Sequence, residues 1–323
     1  MPTLHPPIEP YETGRLEVGD GHSLYWETCG NPAGKPALVL HGGPGSGCTP
    51  GARRLFDPAR FRVVLFDQRN CGRSTPHAAD IETDLATNTT PHLLADIEAL
   101  RERLGIERWL VYGSSWGSAL GLDYAQAHPE RVTALVISHA SVSRWEDIHW
   151  LYHGVGRYFP EAWERFRRGA GEDGDWGDED DDLIEIYAAL LADPDPAVRE
   201  QAARDWCDWE SAVISVDPRH KPPDRYADPR FRMCFARIVT HYFSHNCFLG
   251  DGQLLRDAHK LEGVPGVIIQ GRLDLGSPLE GPWHLAQAWP ESELLVVDEA
   301  GHEHTTPGMI ETILASIDRF AGA

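Results

Sequence analysis

One short stretch, Gly113-Ser114-Ser115-Trp116-Gly117, constrains this chain more than any other. Trp109-Leu110-Val111-Tyr112 in front of it reads as a buried strand, and Ser118 to His128 behind it, rich in Ala, Leu and Gly, reads as a helix. A serine in a sharp turn between strand and helix has its hydroxyl exposed at the end of a sheet, beside the free N–H groups of the helix's first turn. The small residues around Ser115 are a steric requirement, because the turn brings the strand end and the helix start together. By itself the pattern also fits an ordinary Gly/Ser turn, so the surrounding chain has to decide.

That chain alternates strands with helices. Arg15 to Val18 and His22 to Thr28, separated by Gly19-Asp20-Gly21, read as an antiparallel edge hairpin after a Pro-rich arm over residues 1–12. Ala37 to Leu40 and Arg62 to Phe66 are short apolar runs suited to central strands covered on both faces. Leu93, Leu94, Ile97, Leu100 and Leu104 recur at helical spacing, and Val132 to Ile137 is another strand. The rhythm then stops. From Arg144 to Gly263 the chain is dense in Trp, Tyr and charge, with helical patches, an acidic run over Gly169 to Asp182 and a loop-rich connection over Pro218 to Pro229. The acidic run reads as a solvated loop, its irregular spacing being unsuited to calcium. Strands resume at Val264 to Gln270 and Leu294 to Val297, and Pro307 to Phe320 closes as an amphipathic helix. This predicts an α/β fold with a mostly parallel sheet, helices on both faces and an inserted, mostly helical domain. The expected division is 1–143 and 264–323 for the sheet domain and 144–263 for the insertion.

A serine nucleophile needs a base, and the base needs an orienting acid. Both are expected on loops after later strands. The run after Gln270 is Gly271-Arg272-Leu273-Asp274, and the run after Val297 is Asp298-Glu299-Ala300-Gly301-His302. Ser115, Asp274 and His302 are the expected triad, with Asp298 competing for the acid and His304 for the base. A developing oxyanion needs two N–H donors. Trp116, after the nucleophile, offers one, and Gly43 in His41-Gly42-Gly43-Pro44-Gly45, after the Ala37 to Leu40 strand, offers the other.

Composition narrows the partners. The net charge of -21 argues against nucleic acid and anionic membranes. Solubility accounts for the acidity, and attraction of cationic peptide N-termini is the functional alternative. Six cysteines without metal-type spacing are expected to be buried free thiols. The first residues lack the pattern of a secretory signal and no stretch is apolar enough to span a bilayer, so a cytoplasmic location is expected. No cofactor or metal is expected, and nothing here sets the oligomeric state.

Five motifs together resemble the proline iminopeptidases, α/β-hydrolase serine peptidases that release an N-terminal proline. They are His41 to Gly45, Asp67-Gln68-Arg69-Asn70-Cys71-Gly72-Arg73-Ser74, Gly113 to Ser118, Gly271 to Asp274 and Gly301-His302. The insertion is similar too, in Trp150-Leu151-Tyr152, Phe159 to Trp163, Trp206 to Glu210, and Ala236-Arg237-Ile238 with His241-Tyr242-Phe243. The resemblance implies an α/β-hydrolase fold with a helical cap over the triad, a proline pocket, and acidic residues holding the free amine of a small peptide. Glu210 matches one such acid, and Trp150, Tyr152, Tyr242 and Phe243 are the implied substrate contacts. Three positions depart from the family. Val239 stands where a second Glu is common, Ser138-His139-Ala140-Ser141 stands where an aromatic residue is usual, and Asn70 replaces a Gly.

The expected activity is that of a serine aminopeptidase preferring N-terminal proline. A capped esterase or amino-acid amidase with the same triad is the alternative, since neither needs a second amine-binding acid. Epoxide hydrolases share a His-Gly-x-Pro loop but use an Asp nucleophile, which Ser115 argues against. A non-catalytic binding protein of the same fold would leave the triad without a use.

Overall fold

The computed structural model describes residues 4–171, 182–217 and 221–322. Most of the acidic run, residues 172–181, and the first residues of the 218–229 connection lie outside the described residues.

Eight strands form one sheet: β1 (Glu12–Glu17), β2 (Ser23–Gly30), β3 (Lys35–Leu40), β4 (Phe61–Phe66), β5 (Trp109–Ser114), β6 (Val132–Ser138), β7 (Gly266–Gly271) and β8 (Ser292–Val297). Their order is β1-β2-β4-β3-β5-β6-β7-β8. β1 and β2 pair as the antiparallel hairpin read from the sequence, and β2 runs antiparallel to β4. From β4 through β8 all neighbours are parallel. The central strands are apolar on both faces, and β5 and β7 are buried throughout. Helices therefore cover both sides.

On one face, α1 (Thr90–Arg103) and α2 (Trp116–Ala127) bury Leu93, Ile97, Leu100, Leu120 and Leu122 against Leu40, Val111 and Leu135. The other face is covered by α10 (Met309–Arg319), whose Met309, Ile313 and Ile317 join Leu110, Val136 and Val267. Between β6 and β7 no described residue is in a strand. That segment carries α3 (Trp145–Tyr152), α4 (Pro160–Gly169), α5 (Leu183–Leu191), α6 (Pro196–Val213), α7 (Pro229–Phe243) and the short α8 (Gln253–Arg256). Its own core is aromatic: Phe166 stacks on Tyr187 at 4.5 Å and on Trp209 at 5.4 Å. α9 (Glu280–Ala288), between β7 and β8, is a helix that the periodicity did not single out, because Leu285 is its one buried large apolar side chain. Among the described residues no helix is long and apolar enough to cross a membrane.

Parallel strands put their carboxyl ends on one edge of the sheet, where loops gather. Register fixes which residues meet there. Leu40 pairs with Gly113, Ser114 with Ser138, and Ser138 with Ile269. The residues that follow these strand ends build the candidate site.

Candidate active site

The turn after β5 is as tight as its glycines imply. A Cβ on Gly113 would lie 2.0 Å from the Gly117 carbonyl oxygen, and one on Gly117 would lie 2.2 Å from the Leu40 oxygen. Ser115 itself has φ 55 and ψ -127, a region that costs about 1–3 kcal/mol and persists only when the surroundings enforce it. Its N–H is tied to the Ser138 carbonyl at 3.1 Å. Trp116 opens α2, so its backbone N–H has no acceptor within the helix.

The other strand ends bring the remaining groups in. His302 Nε2 lies 3.0 Å from Ser115 Oγ, and His302 Nδ1 lies 2.8 Å from Asp274 Oδ2 and 3.0 Å from Oδ1. Asp274 is buried and held by two further donors, Ser277 N at 2.8 Å and Gln270 Nε2 at 3.1 Å. Burial pulls the His302 pKa down, but the Asp274 carboxylate and its hydrogen bond, with the Glu210 charge behind them, outweigh this and raise it. Such an imidazole suits proton uptake from a hydroxyl 3.0 Å away. Both competitors for these positions lie elsewhere. Asp298 is exposed and pairs with Arg272 at 2.6 Å. His304 is exposed, with Nε2 3.3 Å from Ser114 Oγ.

Gly43 and Trp116 line the same cavity as Ser115 and His302. The loop bearing Gly43 is locked to the turn through side chains of the 67–74 motif. Gln68 accepts from Trp116 Nε1 at 3.0 Å, donates through Nε2 to the His41 carbonyl at 3.0 Å, and its N–H donates to His41 Nε2 at 3.1 Å. Asp67 accepts from Cys48 N at 2.7 Å and from Arg73 Nε at 2.7 Å. Arg69 grips the buried Asp96 with two bonds of 2.8 Å. Asn70, which stands where the family usually has Gly, has φ 63 and donates to the Pro76 carbonyl at 3.0 Å. Asparagine tolerates this left-handed backbone better than other side-chain-bearing residues, which explains why it stands in for Gly.

The cavity wall opposite comes from the helical segment and the turn after β6. Glu210 and Phe243 line it, as do Ser141 and Ser143. Burial pushes the Glu210 carboxyl up from 4.5 to about 6, while the Tyr152 hydrogen bond and the His302 charge hold it down from rising further. Asp147 also lines the cavity, but Arg144 binds both its oxygens, at 2.7 and 3.1 Å. Asp208, two residues before Glu210 on α6, is exposed. Val239 is fully buried and brings no carboxylate.

Direct substrate contact, expected of five residues in this segment, is revised for three of them, which are absent from the cavity lining. Tyr152 is fully buried behind Glu210, to whose Oε1 its hydroxyl donates, and it stacks on Trp206 at 4.8 Å. Tyr242 is fully buried beneath Trp116, ring to ring at 4.9 Å, and donates to Asn88 Oδ1 at 2.8 Å. Trp150 donates from Nε1 to the Leu275 carbonyl at 2.8 Å, tying α3 to the loop that bears Asp274. Side chains of this size at helical spacing announce packing, and the sequence held no signal for which of them face the cavity.

The chain matches the model of the alpha/beta hydrolase fold over residues 35–176. It is 54% identical to a probable proline iminopeptidase of Streptomyces coelicolor, over 99% of this chain and 98% of that one. A proline iminopeptidase of Xylella fastidiosa is 44% identical over 99% of this chain and its own full length. One from Arabidopsis thaliana is 42% identical, over 98% of this chain and 82% of its own. Among solved structures, a proline iminopeptidase from Mycobacterium smegmatis superposes with a TM-score of 0.65 at 22% identity, covering 96% of this chain and 98% of that one, a likeness of fold. Identity at this level along the whole chain shows that this protein belongs to the proline iminopeptidase family of α/β hydrolases.

Proposed function

We propose that this protein is a serine aminopeptidase that releases an N-terminal residue, preferentially proline, from peptides with a free N-terminus. The observation that carries the reading is one unbroken chain, Asp274 to His302 to Ser115, opening on a cavity whose free acid is Glu210. Ser115 Oγ attacks the carbonyl of the first residue as His302 Nε2 takes its proton. Asp274 holds the ring and balances the imidazolium. The oxyanion accepts from the Gly43 and Trp116 N–H groups. Collapse of the intermediate breaks the C–N bond, and His302 returns the proton to the departing amine. Water, activated by His302, then hydrolyses the acyl-Ser115 ester. Each step is proton transfer and acyl transfer among these residues.

Glu210 supplies amine recognition. A buried ammonium is costly unless paired, so Glu210, the lining carboxylate that no arginine holds (Asp147 being bound by Arg144), selects a charged N-terminus. Phe243 lends an apolar surface for the first side chain. Tyr152, Trp150 and Tyr242 act behind this layer, by holding Glu210, the Asp274 loop and Trp116. The helices of residues 144–263 form the cap over the cavity in this reading. Six unpaired thiols suit a reducing compartment and support a cytoplasmic site of action.

A panel of prolyl, other aminoacyl and N-blocked acyl arylamides, with a serine-directed phosphonate as label, tests the proposal. Prolyl substrates with a free amine are expected to turn over fastest. Ser115→Ala is expected to abolish turnover and labelling while the melting temperature holds. Retained turnover in that variant overturns the nucleophile, and equal rates on N-blocked substrates overturn the exopeptidase reading in favour of an esterase or amidase.

A further inference from the structure

Behind the triad lies a second imidazole that the mechanism above does not use. His139 is the first residue after β6, fully buried, with φ 48. Its N–H continues the ladder to the Ile269 carbonyl at 3.0 Å, and its backbone then turns left-handed. A non-glycine residue in that conformation is uncommon and needs local support. The support is a wedge between the two halves of the site. On one side, Nδ1 sits 3.4 Å from Ser114 Oγ, on the residue before the nucleophile. On the other, the ring meets the His302 ring with centroids 5.0 Å apart at 60°. His304 closes the group, edge-on to His139 at 4.7 Å, with Nε2 3.3 Å from the same Ser114 hydroxyl. His139 Nε2 is buried and has no hydrogen-bond partner. A fold retains such an orphan at a cost of about 1–3 kcal/mol, and packing alone would be served as well by an apolar ring.

We propose that His139 is a positioning residue for the reaction: anchored on Ser114, it backs the His302 ring, holds Nε2 on line with Ser115 Oγ, and keeps water from the rear face of the base. The inference rests on Ser115 and His302 being the reacting pair.

The charges facing this group define its electrostatics. Asp274, on the loop after β7, and Glu210, on α6, both favour a charged His302. His302 and His304, on the loop after β8, both disfavour a charged His139, and burial disfavours it most. Arg225 acts on His304 in the same sense. Ser114 and Ser115, at the end of β5, carry no charge. His139 is thus a neutral ring, and its effect on His302 is exclusion of water and fixing of geometry. Loss of the ring admits water to the imidazolium, which stabilises the charged form and moves the acid limb of the rate profile to higher pH.

His139→Asn is the first variant, because asparagine tolerates the left-handed backbone and its side chain can still bond Ser114. On prolyl arylamide, with active enzyme counted by phosphonate titration, kcat is expected to fall about 10- to 100-fold at unchanged KM, as for displacement of a reacting group by about 1 Å. The acid limb of kcat/KM is expected to move up. Ser114→Ala, which keeps the ring but removes its anchor, is expected to shift kcat and the limb in the same direction by less. Wild-type kcat and acid limb in His139→Asn overturn the proposal; if that variant does not fold, wild-type values in Ser114→Ala do so. Ser115→Ala run alongside separates the two levels: turnover there defeats the nucleophile itself, whereas an inert Ser115→Ala beside an unaltered His139→Asn defeats the positioning role alone.

Discussion

Tyr152→Phe isolates the hydroxyl behind the amine-binding carboxylate. The ring stays stacked on Trp206 at 4.8 Å and tilted against Phe243 at 5.7 Å, so the substitution removes one donor and little packing. Glu210 titrates at about 6, burial raising it and the Tyr152 bond lowering it. At pH 7 the carboxylate then outnumbers the acid by about ten to one. A hydrogen bond to a charged group contributes about 1.5–3 kcal/mol, so its loss raises the carboxyl by about one to two further units. The ionised fraction at pH 7 falls from about nine-tenths to between about a half and a tenth, and kcat/KM on a free-amine substrate is expected to fall about 2- to 10-fold. The assay is kcat/KM for prolyl arylamide between pH 5 and 9, taken as the ratio of wild type to variant, in which the substrate's own ionisation cancels. That ratio is expected to grow as the pH falls and to approach one at the alkaline end, where both carboxyls are ionised. A ratio independent of pH, or an equal loss on an N-blocked substrate, refutes Glu210 as the amine anchor and Tyr152 as its support.

Two further outcomes follow from the geometry. Glu210→Gln is expected to weaken binding of free-amine substrates and also to stabilise the fold above pH 6. The folded carboxyl keeps its proton to about 6 against 4.5 ordinarily, so stability falls as pH rises through that window and the loss persists above it, by about 2 kcal/mol. Melting curves at pH 4 and pH 8 check this: the variant gains over wild type at pH 8 only. Gly117→Ala would place a methyl 2.2 Å from the Leu40 carbonyl oxygen and 2.9 Å from that of His41, both backbone. Overpacking of this kind costs about 1–3 kcal/mol or more, and it pushes the first turn of α2 away from the Gly43 loop. Both a lower melting temperature and slower phosphonate labelling of Ser115 are expected, and normal labelling would show that the turn absorbs the methyl without moving Trp116.

How far the sequence reaches depends on the range of each interaction. Patterns that act over a few residues were legible in it. The apolar runs of β3 to β6 and the helical spacing of α1 are local, and so is the demand for glycine at Gly113, whose Cβ would meet the Gly117 carbonyl within the same turn, whereas the demand at Gly117 comes from Leu40 at the end of β3. Asp274 and His302 were legible because a parallel sheet puts the ends of all its strands on one edge, so a strand-end position already implies proximity to Ser115. α9 was not, having a single buried large side chain with no repeat to betray it.

The sequence by itself determined the layered α/β architecture, the serine-centred chemistry and the side of the sheet on which it sits. Tertiary structure alone set how the acid expected from the sequence is held, burying Asp274 against His302 and leaving Asp298 exposed on Arg272. It decided that Tyr152 holds Glu210 from behind while Phe243 faces the cavity, that a left-handed turn fits Asn70, and that His139 reaches both Ser114 and His302. These are contacts between residues far apart in the chain, set by strand register and by the angles at which helices pack. Periodicity records only that a residue is buried, and it is packing that fixes what the buried group touches.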